Sequence, residues 1–146
     1  IAEKTIRSFD KEFVNLEEAM VGTDVFIGVS KANLVTETMV KSMNPKAIIF
    51  AMANPTPEIM PDLAKKAGAT VVATGRSDFP NQVNNALVFP GIFRGALDNK
   101  VPQITDEMKL KAAKALANLV KNPKPEKIIP DVFDKRVVKA ISKVIR

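Results

Sequence analysis

Three short apolar runs, placed at even intervals, restrict the fold of this chain more than any other feature. They are Val25-Phe26-Ile27-Gly28-Val29, Ala47-Ile48-Ile49-Phe50-Ala51-Met52-Ala53 and Ala69-Thr70-Val71-Val72-Ala73-Thr74. Each is rich in β-branched or aromatic residues and lacks polar alternation, which is how a strand looks when helices cover both of its faces. Helix-like segments lie between them, near Val35 to Met43 and Pro57 to Ala67. Strand, helix, strand, helix, strand at this spacing demands crossover connections, and therefore a parallel sheet in an α/β domain.

Boundary residues refine the elements. Thr56 is placed to cap the second of these helices, with Pro57 in its first position and Glu58 in its first turn, and Gly68 closes it. An earlier short helix is expected over Glu17 to Met20, with Phe13 and Leu16 beside it. Beyond the third strand, Gln82 to Phe89 reads as a helix closed by Pro90-Gly91. Gly91 and Gly95 are expected to serve backbone turns. Thr105 caps a well-marked helix with Asp106 and Glu107 in its first turn. Its apolar stripe is Met108, Ala112, Leu116, Leu119 and Val120. Asn122-Pro123-Lys124-Pro125 breaks that helix, and the surrounding KNPKPEK stretch resembles a linker. Asp131 is expected to cap a final helix with the stripe Phe133, Val137, Ile141, Val144 and Ile145. Residues 1–146 thus read as a single unit, with 104–146 as terminal helices.

Missing residue types limit the chemistry. The chain has 146 residues, of which 46% are apolar and 26% charged, ordinary values for a globular protein. It contains no Cys and no His, which removes thiolate metal sites, Cys nucleophiles and imidazole acid–base catalysis. With no Tyr either, proton transfer would fall to Asp, Glu or Lys. No carboxylates cluster at metal-ligand spacing. No Gly-x-Gly-x-x-Gly turn or phosphate-binding Lys-Ser/Thr loop is present. No apolar run is long enough to span a membrane, and the lack of Cys fits a reducing, cytoplasmic setting. The start, Ile1-Ala2-Glu3-Lys4, is not a signal peptide and reads as a sequence entered partway through.

The net charge is +6, but from Lys109 onward there are 11 Lys or Arg against 3 Asp or Glu. The basic excess is therefore a property of the last two helices. A nucleic-acid surface would interleave stacking aromatics. The tail has one aromatic, Phe133, at a core-like position, so the expectation is a solvated helix face and no nucleic-acid partner.

In an open parallel sheet, ligands bind beyond the carboxyl ends of the strands. Here those ends are small and polar: Gly28-Val29-Ser30, Asn54-Pro55-Thr56-Pro57 and Thr74-Gly75-Arg76-Ser77-Asp78. Asn54 can donate to a carboxylate or ribose oxygen and accept from a hydroxyl, or it can simply start a turn. Asn84-Asn85 at a helix start could present one amide to a cofactor and the other to a substrate. Capping is the competing role, although two consecutive Asn exceed what a cap requires. Arg76 and Asp78 read as an ion pair that shapes the loop.

These residues carry a family resemblance. The strings Phe50-Ala51-Met52-Ala53-Asn54-Pro55-Thr56-Pro57-Glu58-Ile59, Val72 through Asn85, Phe89-Pro90-Gly91-Ile92-Phe93-Arg94-Gly95-Ala96 and Val25 through Ser30 resemble the bacterial and archaeal type of malic enzyme. The resemblance reaches Ile128-Ile129-Pro130 and covers most of the chain. It implies a Rossmann-like parallel sheet with flanking helices, present as a partial domain with C-terminal helices. It implies oxidation and decarboxylation of malate to pyruvate and CO2, with NAD or NADP and with Mg2+ or Mn2+. Asn54, Asn84 and Asn85 match positions that contact malate; Ser30, Asn54 and Asn84 match the cofactor side. The family's Tyr acid, Lys base, metal-binding carboxylates and glycine-rich dinucleotide turn have no counterpart here. The resemblance thus implies the C-terminal part of the nicotinamide dinucleotide-binding domain. Its partners would be the preceding part of the enzyme and further copies in a homo-oligomer. The choice between NAD and NADP would lie outside this chain. The alternatives are a non-catalytic nucleotide-binding module and a polyanion-binding module, the latter marked by salt-sensitive binding.

The 146-residue chain alone is therefore expected to show no turnover with malate, nicotinamide nucleotide and Mg2+ or Mn2+. A spectrophotometric assay for reduced nucleotide checks this, and turnover by the isolated chain would overturn it.

Overall fold

Each of the three apolar runs forms a strand in the computed structural model, which describes residues 13–146. Strand β1 is Val25–Gly28, β2 is Ile48–Ala51 and β3 is Val71–Thr74. They form a parallel sheet in the order β1-β2-β3, with Gly28 beside Ala51 and Ala51 beside Thr74. Helices α1 (Leu16–Met20), α2 (Glu37–Lys41) and α3 (Pro61–Lys66) alternate with the strands. The βαβ reading is thus correct, and the sheet is of the Rossmann-like kind.

Side chains alternate across a strand, so Phe26, Ile49, Ala51 and Val72 share one face. That face packs with Met20, Val35, Met39, Val40, Ala64 and Ala67 from the helical side. The expectation of two covered faces fails at β1. Val25 is 47% exposed and Ile27 66%, because β1 is an edge of the sheet among the described residues and nothing there covers its other side.

Capping explains most helix starts. Asn15 accepts from the Glu18 N–H, Thr36 from Met39 and Thr105 from Met108, each satisfying a first-turn amide that has no partner inside its helix. Gly68, at φ +111°, follows the end of α3 in the left-handed region, as expected of a closing glycine.

Three boundaries differ from expectation. Helix α3 begins at Pro61, not Pro57; Thr56 does not cap it, and Glu58 lies before it, fully buried. Both prolines suit a first helical position, and the burial of Glu58 chooses between them. Between 82 and 89 only a 3-10 turn forms, over Asn85–Leu87. Pro90 opens the next helix, α4 (Phe89–Asp98), rather than closing one. Finally, Asp131 does not cap the last helix. It accepts from the Phe133 N–H in a local turn, and α6 starts later, at Arg136–Ser142. Phe133 falls outside α6 and is 88% exposed, so it is not a core residue.

A second core joins α4, α5 (Asp106–Ala117) and α6 around Leu87, Ala112, Val137, Ile141 and Ile145. Gly91 and Gly95 sit inside α4, not in turns, and α6 lies directly against them. A Cβ at Gly91 would stand 2.6 Å from the Ile141 Cβ, and one at Gly95 2.7 Å from the Ser142 carbonyl oxygen. The small residues set the distance between these two helices. The 122–127 stretch is no loose linker: Lys124 and Lys127 exchange backbone hydrogen bonds, and Glu126 pairs with Lys65 of α3 at 3.1 Å.

A methyl group at Gly91 gains up to about 1 kcal/mol of helix propensity. It meets a Cβ that no rotamer change can move, and overpacking of that kind costs about 1–3 kcal/mol. Gly91→Ala in the full-length protein is therefore expected to lower the urea unfolding midpoint; an equal or raised midpoint would refute this packing account.

Candidate functional site

The parallel register brings the strand ends together. Adjacent strands lie about 4.8 Å apart, and the ladder extends past β1 through the Met52 N–H, which donates to the Gly28 carbonyl at 3.0 Å. Ser30 follows β1 and Asn54 follows β2, so both stand at the same end of the sheet. The chain leaves β3 at Gly75 and returns beside it, with the Val83 N–H donating to the Thr74 carbonyl at 2.8 Å. Asn84 and Asn85 come next. All four predicted residues are exposed at this carboxyl edge.

The Asn pair is arranged differently from expectation. Asn84 is extended, at φ −138° and ψ 145°, and its side chain accepts from the Ala86 N–H at 2.9 Å, capping the 3-10 turn. Asn85 is the first residue of that turn. The cap occupies the Asn84 oxygen and leaves its NH2 group directed elsewhere. A three-residue turn carries little dipole, so the electrostatic attraction expected for an anion at an α-helix start does not apply here. The Asn54–Pro55 peptide is cis.

Two residues at this edge escaped the reading of the sequence. Glu58 is fully buried, and its carboxylate spans two strand ends: Oε1 accepts from the Ser30 N–H at 2.8 Å and Oε2 from the Ala53 N–H at 2.9 Å. The backbone carbonyls of Pro57 and Glu58 also accept from Asn33 and Val35. Charge-assisted bonds of this type contribute about 1.5–3 kcal/mol each, which offsets the loss of hydration on burial. A buried acid after Thr-Pro looks like a first-turn helix residue in the sequence, so no local signal distinguishes it. Asn81, at φ 57°, is 7% exposed. Its NH2 donates to the Val72 and Pro125 carbonyls at 3.1 and 2.7 Å, and its oxygen accepts from the Ile128 N–H at 2.9 Å. Only the tolerance of Asn for left-handed backbone, next to Pro80, hinted at it.

Arg76 and Asp78 pair as expected, through Nε–Oδ1 at 2.8 Å and Nη2–Oδ2 at 2.6 Å, and the guanidinium also lies 5.4 Å from the Phe79 ring centre. Three tail cations pair locally too: Lys109 with Asp106, Lys111 with Glu107, and Arg136 with Asp134. A cleft of about 280 Å³ lies between Phe79, Asn81 and Gln82 on one side and Glu126, Ile129 and Val132 on the other, and none of the four predicted residues lines it. Among the described residues no three acidic side chains gather as metal ligands, and no helix is long and apolar enough to cross a membrane.

A parallel α/β sheet with hydrogen-bonding side chains lined along its carboxyl edge defines a part of a Rossmann-like ligand-binding domain. The family model described as "Malic enzyme, NAD binding domain" matches residues 2–145, and the chain belongs to that family. It is 55% identical over 138 residues to the bifunctional malic/malolactic enzyme of Bacillus subtilis (strain 168), covering 93% of this chain and 34% of that protein. It is 46% identical over 155 residues to the NADP-dependent malic enzyme of Rhizobium meliloti (strain 1021), covering 94% and 20% respectively. The crystal structure of the NAD-dependent malic enzyme from Thermotoga maritima superposes with a TM-score of 0.85 at 50% identity, covering 90% of this chain and 34% of that one. The chain thus spans about a third or less of the length of these relatives.

The loop pair has a measurable signature. Hydrogen bonding from Arg76 holds the Asp78 carboxyl below its ordinary range. A lowered folded-state value means the pair's small contribution to stability is present above the unfolded carboxylate value and is lost as pH falls through the folded one. The site is exposed, so the effect on stability is slight. Arg76→Gln is expected to move the Asp78 titration, followed by its NMR carboxyl shift, up to the ordinary range. An unmoved titration would mean that another group holds it.

Proposed function

We propose that this chain is the C-terminal part of the nicotinamide dinucleotide-binding domain of a malic enzyme, with residues 104–146 as its terminal helices. The activity would be oxidative decarboxylation of malate to pyruvate and CO2, with reduction of NAD or NADP. The observation that carries this reading is the alignment of Ser30, Asn54 and the Asn84-Asn85 pair along one carboxyl edge, in a chain whose family is the malic enzyme NAD-binding domain.

The side chains suit the ligands chemically. The Ser30 hydroxyl and the Asn54 amide are neutral groups that both donate and accept, which fits ribose hydroxyls, a carboxamide and a malate carboxylate. The Ser30 and Ala53 amides are already engaged by Glu58, so side chains and not those amides face the ligand. In this reading Asn54, Asn84 and Asn85 hold malate, while Ser30, Asn54 and Asn84 hold the nucleotide. When bound, the nicotinamide supplies the hydride acceptor. This chain's residues orient the two ligands and hold them close, which lowers the entropic part of the barrier. The described residues do not fit a divalent metal, so no step is assigned through one.

The acid, base and metal ligands belong in this reading to the remainder of the enzyme, whose relatives are about three times longer or more. The exposed apolar pair Val25 and Ile27 and the α4 row Phe89, Phe93 and Leu97 support it, since such surfaces are normally covered by further polypeptide.

In the full-length enzyme, Asn54→Ala and Asn85→Ala are each expected to lower kcat/KM for malate about 10- to 100-fold, the effect of losing about 1.5–3 kcal/mol from a hydrogen bond to a charged group. Steady-state kinetics with malate varied checks this. Unchanged kcat/KM in both variants would overturn the assignment.

A further inference from the structure

We propose that Glu58 is a positioning residue that sets Ser30 and Asn54 together, through one carboxylate shared between the two strand ends. This rests on the reading that those two side chains contact the ligands.

Four observations carry it. The two carboxylate oxygens serve different strand ends, Oε1 taking the Ser30 N–H and Oε2 the Ala53 N–H. Ala53 immediately precedes Asn54, so this bond holds the Met52–Ala53 peptide, one residue ahead of the Asn54 Cα. Glu58 is fully buried although no ion pair to a cation is formed by it among the described residues, so backbone amides satisfy its charge. Gly28 leaves the room for it: a Cβ there would stand 2.5 Å from Oε1. A carboxylate is the group the geometry needs, because it accepts at both oxygens without carrying a donor. A glutamine of the same size would turn an NH2 group toward one of the two N–H donors and release that strand end.

The consequence is a shared dependence. The group on the cofactor side and the group on the malate side take their position from the same side chain, which is itself fully buried. Disturbing it should weaken both bindings, whereas a merely structural acid would lower stability and leave the folded molecules binding normally.

The test uses the full-length enzyme well below its melting temperature. Glu58→Gln is expected to raise both the KM for malate and the Kd for reduced nicotinamide nucleotide, the latter read without turnover by nucleotide fluorescence, by about tenfold, equivalent to about 1.4 kcal/mol. The fall in kcat is expected to be smaller than the rise in KM. Hydrogen exchange should show lost protection at the Ser30 or Ala53 amide. Gly28→Ala, which displaces the carboxylate without altering it, should reproduce the shift, and the double variant should add little to either single one. Glu58→Asp keeps the charge but shortens the reach, and should shift both constants less than Gln does. It and Gly28→Ala carry the test if Glu58→Gln does not fold. A lowered melting temperature with unchanged KM and Kd would overturn the proposal. If Ser30→Ala and Asn54→Ala shift these constants while the Glu58 and Gly28 variants do not, only the positioning role fails. If Ser30→Ala and Asn54→Ala leave them unchanged, the ligand reading fails and takes the proposal with it.

Discussion

A buried carboxylate bonded to two backbone amides governs the edge on which the rest of this structure converges. Removing the Glu58 charge from water is costly unless every oxygen finds a donor. The donors are the amides where β1 and β2 end. The bonds join what the parallel ladder has stopped joining, since Ser30 and Ala53 both lie beyond the strands. They also draw the β1–α2 connection onto Pro57 and Glu58, whose carbonyls take the Asn33 and Val35 amides. The packing follows from this arrangement: Gly28 has to be small where Glu58 lies, and α3 starts only once the chain has left the carboxylate behind.

The loop after β3 is held by a second hub of the same kind. Asn81 joins Val72 within β3 to Pro125 and Ile128 far along the chain, using both amide hydrogens and its oxygen. Lys65 and Glu126 add an exposed ion pair between α3 and the same stretch, which contributes little by itself. Through these contacts the helical core of α4, α5 and α6 is attached to the sheet, and the turn bearing Asn84 and Asn85 lies where the two meet. Within that helical core, Gly91 and Gly95 let α4 and α6 approach closely.

Much of the fold was legible in the sequence. The strands were visible because β-branched runs without alternation have few other uses, and the cap at Thr105 because its hydroxyl has a clear local task. Where two local signals were equally good, the expectation from sequence settled on the wrong one. Pro57 and Pro61 both suit a helix start, and Pro90-Gly91 can end one helix or begin another. Phe133 lined up with the Val137 and Ile141 stripe, yet the turn made by Asp131 and Asp134 takes it out of the helix and into solvent. At the candidate site, polarity at the strand ends pointed to Ser30, Asn54 and the Asn pair, while Glu58 looked like a first-turn helix residue and Asn81 gave only a faint hint, because Ser30, Pro125 and Ile128, which give them their roles, are distant in sequence.

By itself, then, the sequence determined the parallel α/β layering, the edge that carries the polar residues and the family, because these depend on local composition, spacing and long ordered motifs. Tertiary structure alone decided which acid is buried, which glycines face a neighbouring helix, which side of β1 stays open and how the Asn pair is held. Those outcomes depend on what stands opposite each residue in space. A buried charge or a missing Cβ acquires its meaning only from the group it meets.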